Sequence, residues 1–339
     1  MSVLKSLGYF SFLVLLGFFP AGCSKPEKEK ELVQPGCTDP SANNYKAGAT
    51  SNDGSCAYNS ASVFLTNAKT LPATLNQSSG LVHTNNQLWT ISNKFGDNTI
   101  YRINEDGAIQ QTITIAGANN ADWEAITADA NYFYIGDFGN NLAGNRTDLR
   151  IYRVSKSGIG SGATGSVPAE VIQFSYKDQD MNTPTGSNDS DFDCEAFVVK
   201  GNTLHLFTKQ WKSNKTTHYT LPVTPGTHVA NPVETFAVDG LITDASISAG
   251  NANEIVLIGY TKDLTNLFMW LLSDYQEDKF FSGNKRRLNL GSSLQGQIEG
   301  VTLTSNGNGY ISSEQITTSF YNKPPQLYSF SIANYISSK

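Results

Sequence analysis

The sequence predicts an all-β protein whose main domain, residues 61–339, is a β-propeller of five blades. Three observations support this prediction: a short motif recurs through the domain, β-rich runs follow each copy of it, and turns rich in Asn, Gly and Asp separate the runs. Short strands with this spacing and these turns are typical of all-β domains. Four strands per repeat make up one propeller blade.

The recurring motif consists of an acidic or small polar residue, then Ala or Gly, then apolar positions. Its copies are Ser79-Gly80-Leu81, Glu124-Ala125-Ile126, Glu195-Ala196-Phe197, Asp244-Ala245-Ser246-Ile247 and Glu299-Gly300-Val301. The Ala or Gly positions are 45, 71, 49 and 55 residues apart. The long second interval leaves six blades as an alternative. We favour an insertion there, because residues 155–168 and 178–190 have the composition of loops.

The fifth repeat lacks a fourth strand, because the chain ends soon after Ile332. Residues 62–66, with the sequence SVFLT, lie upstream of the first repeat and belong to none of the five. We therefore predict that residues 62–66 form the outer strand of the fifth blade. Such a closure would leave no free sheet edge at the point where the ring joins.

The N-terminus has the three parts of a secretory signal: Lys5, an apolar run over residues 7–19, and small residues before Cys23. The run is shorter than the ~20 residues of a membrane span, which predicts a cleaved signal peptide over residues 1–22. Residues 20–23 resemble the lipobox of Gram-negative lipoproteins, although Pro20 stands where Leu is usual. The resemblance implies export, acylation of Cys23 and anchoring, most simply in the outer membrane. An ordinary secreted protein is the alternative.

Residues 23–35 alternate Lys and Glu and contain few apolar side chains, so we expect a disordered tether. Residues 36–58 then resemble a short cysteine motif of bacterial cell-surface proteins, of the form GCTDP…DGSC. Because export implies an oxidising compartment, Cys37 and Cys56 are expected to form a disulfide. Cys194 lies in an apolar run without a neighbouring His, which favours a buried, unreactive thiol.

The propeller region also carries several specific motifs. They are Asp122-Trp123-Glu124-Ala125-Ile126, the run YIGDFGNN over residues 134–141, Arg146 with the run LRIYRV over residues 149–154, Asp193-Cys194-Glu195-Ala196-Phe197, Thr208-Lys209, Gln297-Ile298-Glu299-Gly300 and Ser313-Glu314. Together they resemble a group of uncharacterised exported propellers, which is similar at greater distance to phytase-like and SdiA-regulated propellers. The resemblance implies the fold and carries no settled activity.

The charge of the chain bears on its partners. The 24 basic side chains include Lys5, the one charged residue before Cys23, so the mature chain has 23 basic and 30 acidic side chains, a net charge of −7. A negative field does not attract nucleic acid. We therefore expect no nucleic-acid partner.

The repeat predicts where a site would lie. First strands of blades line the central channel, so equivalent positions should converge there; these are Ser79, Glu124, Glu195, Asp244 and Glu299. A second set at the ends of the second strands comprises Asn93, Asp137, Lys209, Tyr260 and Glu314. Converging carboxylates need a cation, protons or a base, and Lys209 is the only base in either set. We predict a channel site for Ca²⁺ or for a cationic or polyhydroxylated ligand. Hydrogen bonding to the backbone of neighbouring blades is the structural alternative.

These predictions are compatible with three classes of function. The first is a lipid-anchored protein that binds a small or polymeric ligand, such as a glycan or a protein, in the channel. The second is a hydrolase of phosphoester or glycoside bonds, in which paired acids act as general acid and base. The third is a surface scaffold for protein contacts. The sequence does not decide whether the protein is an enzyme.

Overall fold

The computed structural model describes residues 8, 9, 11, 33–248 and 253–336. The predicted acylation site Cys23 and most of the predicted signal peptide and tether lie outside the described residues. Within them, the helices are three short 3₁₀ turns, Ala73–Leu75, Lys156–Gly158 and Ser293–Gln295, and none has the length and hydropathy to span a bilayer.

All other regular elements are strands, numbered here in chain order. They are β1 (Pro35–Gly36), β2 (Ser51–Asn52), β3 (Ala61–Ser62), β4 (Thr66–Thr70), β5 (Ser78–Thr84), β6 (Gln87–Ser92), β7 (Thr99–Ile103), β8 (Ile109–Ala116), β9 (Trp123–Ala128), β10 (Tyr132–Asp137), β11 (Arg150–Ser155), β12 (Thr164–Tyr176), β13 (Asp193–Lys200), β14 (Thr203–Lys209), β15 (Thr216–Pro222), β16 (Gly226–Phe236), β17 (Leu241–Ile247), β18 (Glu254–Tyr260), β19 (Asn266–Ser273), β20 (Asn284–Ser292), β21 (Ile298–Leu303), β22 (Asn308–Ser313), β23 (Ile316–Thr317), β24 (Asn322–Lys323) and β25 (Gln326–Ser331).

The strands form five blades, each an antiparallel sheet of four. From the axis outward, blade 1 is β5–β8, blade 2 is β9–β12, blade 3 is β13–β16 and blade 4 is β17–β20. Blade 5 is β21, β22, β25 and β4. The first strands contact one another around the ring, and β21 returns to β5. The predicted five-bladed propeller is confirmed, and the long second interval contains an insertion rather than a sixth blade.

Each pair of adjacent blades encloses one apolar cluster. Between blades 1 and 2, for example, Trp89 and Ile113 pack with Ile126 and Phe133. Four further clusters lie at the other four blade junctions. The inner strands are buried on both faces, whereas the outer strand β8 alternates buried and exposed positions. This pattern is expected where only one face of an outer strand is covered.

The closing strand lies four residues further along the chain than predicted. Thr66–Thr70 pairs with β25 and completes blade 5, with Thr70 opposite Gln326. Residues 61 and 62 instead pair with β20 of blade 4, and Val63 is buried in the cluster between blades 4 and 5. The apolar segment therefore fills a blade junction, while the polar segment that follows it supplies the outer strand. The loop predicted over residues 155–168 also ends in strand, because β12 begins at Thr164.

The cysteine module precedes the propeller. The predicted disulfide between Cys37 and Cys56 is present, and β1 pairs with β2. The module contacts the turn between β19 and β20: Asp274 Oδ2 accepts hydrogen bonds from Thr38 Oγ1 at 2.9 Å and from Asn52 Nδ2 at 2.9 Å. It is thus fixed to blade 4 by polar contacts.

Candidate functional site

The antiparallel order of the strands defines the two ends of the channel. First strands begin, second strands end and third strands begin at the same end, which we call the mouth. The loops from second to third strands and from fourth strands to the next blade lie there. The other end is here called the back. It carries the turns that join the first strand of a blade to the second and the third strand to the fourth.

Every inner strand contains one β-bulge near the mouth. The extra residues are Gly80, Glu124, Glu195, Thr243 and Glu299. A bulge redirects the side chain that it adds, and here it places three glutamates, from blades 2, 3 and 5, at one level of the ring. Equivalent positions of the repeat thus converge at the channel, as predicted for Glu124, Glu195 and Glu299.

Ser79 and Asp244 are displaced from this level, so the predicted alignment is wrong by one residue in blades 1 and 4. Asp244 Oδ2 accepts the amide hydrogen of Val301 in blade 5 at 2.7 Å. Ser79 Oγ donates to the carbonyl oxygen of Glu124 in blade 2 at 2.5 Å. Both side chains are fully buried. At these two positions the polar groups of the channel form hydrogen bonds with the backbone of the neighbouring inner strand. This is the structural role that the sequence analysis gave as the alternative to ligand binding.

Two acids that the sequence reasoning did not single out belong to the site. Asp122 and Asp193 each lie two residues before a bulge glutamate, and Gln297 holds the same place in blade 5. The signal is a repeated pattern, Asp-x-Glu in blades 2 and 3 and Gln-x-Glu in blade 5. Asp193 is fully buried; its carboxylate accepts the amide of Asn140 at 2.6 Å and Trp211 Nε1 at 2.8 Å.

We define the acidic mouth cluster as the carboxyl groups that interact electrostatically at this end, together with one lysine. Its members are Asp122, Glu124, Asp193, Glu195, Glu299, Glu314 and Lys209. Lys209 Nζ lies 3.1 Å from Glu195 Oε1, and 4.9 and 5.2 Å from the ring centroids of Trp211 and Tyr260. The lysine is therefore held by one carboxylate and two aromatic faces.

The other two bulge glutamates, Glu124 and Glu299, have polar neighbours on the channel wall. Asn93 Nδ2 donates to Glu124 Oε2 at 3.1 Å, and Gln297 Nε2 donates to Glu299 Oε1 at 2.6 Å. The second oxygen of Glu299, Oε2, is buried and has no hydrogen-bond partner. A buried carboxylate oxygen without a partner is costly, so Glu299 is the one bulge glutamate whose contacts within the chain are incomplete.

Burial and mutual repulsion raise the pKa values of the cluster. Burial, followed by the charges of Glu195 and Asp122, raises the pKa of Glu124 well above its usual range. Burial and the charge of Glu299 raise the pKa of Glu314 to about 8. Burial and the charge of Asp193 raise the pKa of Asp122 to about 6. At neutral pH the cluster therefore retains protons, because its members titrate together.

Asp137 and Gly139 shape the wall beside the cluster. Asp137 is fully buried, and its oxygens lie 3.0 Å from Arg146 Nη2 and 3.6 Å from Arg150 Nε. Its charge is thus matched by arginines of its own blade. Arg146 Nη1 also donates to the carbonyl oxygen of Gly139 at 2.7 Å. A Cβ atom on Gly139 would lie 2.2 Å from Asp122 Oδ2, so only glycine fits against the carboxylate.

Metal and thiol chemistry have little support in the described residues. Among them, no three or more His, Cys, Asp or Glu side chains are arranged to hold a metal ion. Cys194 is free and fully buried, and burial raises the pKa of its thiol. The thiolate is disfavoured, as expected for an unreactive core cysteine.

Comparisons with known proteins assign no family to the chain. No family model matches the chain, and no curated protein is significantly similar to it. Among solved structures, the PQQ-bound form of aldose sugar dehydrogenase from Streptomyces coelicolor is 10% identical, covers 78% of this chain and 98% of its own, and gives a TM-score of 0.42. A glucose dehydrogenase is 8% identical with the same coverage and TM-score. Likeness at this level carries no ligand or activity over to this chain, and the resemblance to phytase-like and SdiA-regulated propellers stays a prediction.

Proposed function

We propose that the acidic mouth cluster binds a small ligand that presents a positively charged group, such as a primary ammonium. The observation that carries this proposal is Glu299 Oε2, a buried carboxylate oxygen without a partner. It lies in a group where five carboxyls interact with Lys209 and the sixth, Asp122, interacts with Arg146. A bound cation would supply the missing contact and would take the place of protons that the cluster retains. Asp122 and Glu314 are only partly buried, which leaves the cluster accessible from solvent.

The same contacts favour an organic cation over the other ligands considered. A Ca²⁺ ion requires six to eight oxygen ligands, and the described residues do not gather even three acidic groups in metal-binding geometry. A phosphoester would meet a mouth whose central lysine is already paired with Glu195. A neutral polyol fits the hydrogen-bonding groups but brings no positive charge to replace the protons that the cluster retains.

We further propose that the protein is exported and anchored through Cys23. The N-terminal apolar run with its following cysteine supports this proposal, and so does the disulfide between Cys37 and Cys56, because disulfides persist in oxidising compartments. The ligand would then come from outside the cytoplasm.

The binding proposal is tested by thermal unfolding of the full mature chain in n-butylammonium, in CaCl₂ and in glucose. Binding to the folded state alone adds RT ln(1 + [L]/Kd) to stability, about 2.7 kcal/mol at a hundredfold excess over Kd. We expect butylammonium to raise the Tm at constant ionic strength. Glu299→Gln should remove that rise, whereas Asp189→Asn, at an exposed loop position of the same end, should retain it.

Each other outcome contradicts the proposal. A response to Ca²⁺ alone would assign the cluster to a metal ion. A response to glucose alone would assign it to a polyol. If no probe changes the Tm while Glu299→Gln lowers it, the carboxylates serve only to join the blades.

A further inference from the structure

Large apolar side chains are exposed around the mouth. We call Phe95, Leu142, Leu264, Leu294, Phe320 and Tyr321 the apolar rim; they are 38% to 100% exposed. Five of the six lie between the second and third strands of blades 1, 2, 4 and 5, and Leu294 lies between blades 4 and 5. All six positions are therefore at the mouth. The back also has an exposed aromatic side chain: Phe64, which is 80% exposed, lies beside Thr304 and Asn308 at the turn between β21 and β22.

The loops of the apolar rim support one another. Tyr321 Oη donates to the carbonyl oxygen of Leu294 at 2.8 Å. The amide of Ser293 donates to the carbonyl oxygen of Thr265 at 3.1 Å, which joins the loop of Leu294 to that of Leu264. These contacts hold apolar side chains of blades 4 and 5 in one surface.

The next contacts continue the surface toward blades 2 and 3. Lys262, in the loop of Leu264, donates to the carbonyl oxygen of Trp211. The amide of Trp211 donates to Ser190 at 3.1 Å, and Asn188 donates to Asn141 at 2.7 Å, beside Leu142. Hydrogen bonds thus connect the mouth loops of blades 2 to 5 around the acidic mouth cluster.

We propose that the apolar rim docks a partner protein that inserts a lysine or arginine side chain into the acidic mouth cluster. This inference rests on the proposed affinity of the cluster for an organic cation. Clusters of exposed apolar side chains mark interaction sites, and protein interfaces combine apolar and aromatic contacts with a few charged anchors. A surface that extends over several blades is wider than a small ligand requires.

Charge selects this occupant over two others. A second copy of the chain docked mouth to mouth about a two-fold axis would bring two acidic clusters together, because the same patch faces itself. Anionic lipid headgroups would be repelled by the same carboxylates. A protein segment with a cationic residue between apolar side chains satisfies both parts of the surface.

The test uses fluorescein-labelled nonapeptide pools whose central residue is lysine and whose other positions are drawn from Leu, Val, Phe, Tyr and Ser. A matched pool has glutamine at the centre. Fluorescence anisotropy with the full mature chain should show about tenfold tighter binding of the lysine pool. Phe95→Ser with Phe320→Ser should weaken that binding about tenfold. Phe64→Ser is the control, because Phe64 is as exposed as Phe95, at 80%, and lies off the rim.

Failure of this inference is distinguishable from failure of the binding proposal. If butylammonium stabilises the protein while the lysine pool binds no tighter than the glutamine pool, the cation site stands and the docking surface is wrong. If the rim substitutions leave peptide binding unchanged, the docking surface is also wrong. A dimer in light scattering that the rim substitutions abolish would assign the surface to a second copy, and rim-dependent binding to phosphatidylglycerol vesicles would assign it to a membrane. If neither butylammonium nor peptide binds, both proposals fail.

Discussion

Lys209 and Glu195 form an ion pair of 3.1 Å in which each side chain is only 4% exposed. Burial alone would lower the pKa of Lys209, but Glu195 and the other acids around it have the larger, opposite effect. The pKa of Lys209 is therefore above its ordinary value, and the lysine stays charged. The two residues lie on adjacent strands of blade 3. The ammonium also interacts with Glu299 and Asp193, so the pair is coupled to acids of blades 3 and 5.

The first prediction follows from this pair. Lys209→Met should lower the free energy of unfolding by about 3 kcal/mol, because it leaves Glu195 buried without its cation. Urea denaturation measures the loss. The double variant Lys209→Met, Glu195→Gln should recover more than half of it; equal instability of the single and double variants would contradict the pairing.

A second prediction concerns the wall of the site. Gly139→Ala would place a Cβ 2.2 Å from Asp122 Oδ2 and 2.6 Å from Glu124 Oε1. We expect a loss of about 1–3 kcal/mol from overpacking and a lost response to butylammonium. Gly160→Ala is the control, since nothing lies within 4 Å of its added Cβ. Calorimetric unfolding with and without the amine compares the two, and an unchanged response in Gly139→Ala would contradict the placement of the carboxylates.

A third prediction is a pH dependence. The pKa of Glu314 is about 8 in the folded protein, above its ordinary value of 4.5, because of burial and the charge of Glu299. Between these pH values the unfolded chain releases a proton that the folded chain keeps, so stability falls as pH rises. The Tm should therefore drop from pH 5 to pH 8. Glu314→Gln should reduce the drop and Asp189→Asn should not; identical slopes in all three proteins would refute this assignment.

Ring closure gives a fourth prediction. A chain that starts at residue 60 keeps β4 and should melt close to the full mature chain. A chain that starts at residue 72 loses β3 and Val63, which pack on blades 4 and 5, as well as β4 and Leu71, which packs in the same cluster as Leu327. It also exposes the edge of β25. That chain should melt much lower and aggregate. Circular dichroism and light scattering measure both effects, and equal melting of the two chains would show that β4 does not close the ring.

The fifth prediction concerns the anchor. Acylation of Cys23 would hold the protein in the membrane fraction, because two or more acyl chains give stable attachment. Cys23→Ser should release it or block its processing, as shown by fractionation and immunoblotting. Ala21→Ser, with an intact cysteine, should stay attached. Unchanged retention of Cys23→Ser would contradict the lipoprotein proposal.

The sequence was sufficient for the blade count and for three glutamates of the site. The repeat located Glu124, Glu195 and Glu299 because each occupies the bulge of an inner strand. It misaligned blade 4, where Thr243 fills the bulge and the acidic Asp244 follows it. Both residues are polar, and a bulge adds one residue without changing the apolar pattern around it, so the sequence alone does not mark the correct position.

The closing strand was misplaced for a different physical reason. Thr66–Thr70 has one residue of intermediate burial and four that are exposed, so it carries no hydrophobic signal. The more apolar segment before it was assigned in its place, but Val63 of that segment fills a junction between blades. A hydrophobic segment is expected to have side chains buried against other parts of the protein. An outer strand such as β4 can instead be stabilised mainly by backbone hydrogen bonds, which leave no hydrophobic pattern in the sequence.

The docking of the cysteine module on Asp274 has a consequence for the channel. Asp274 follows β19, so the module lies at the back of blade 4, and the amide of Gln34 donates a hydrogen bond to Thr50 Oγ1 within that module. The acidic mouth cluster and the apolar rim lie at the opposite end of the channel from these contacts. The module therefore leaves the entrance of the channel uncovered, and a substitution that loosens it, such as Asp274→Ala, should not change access to the mouth.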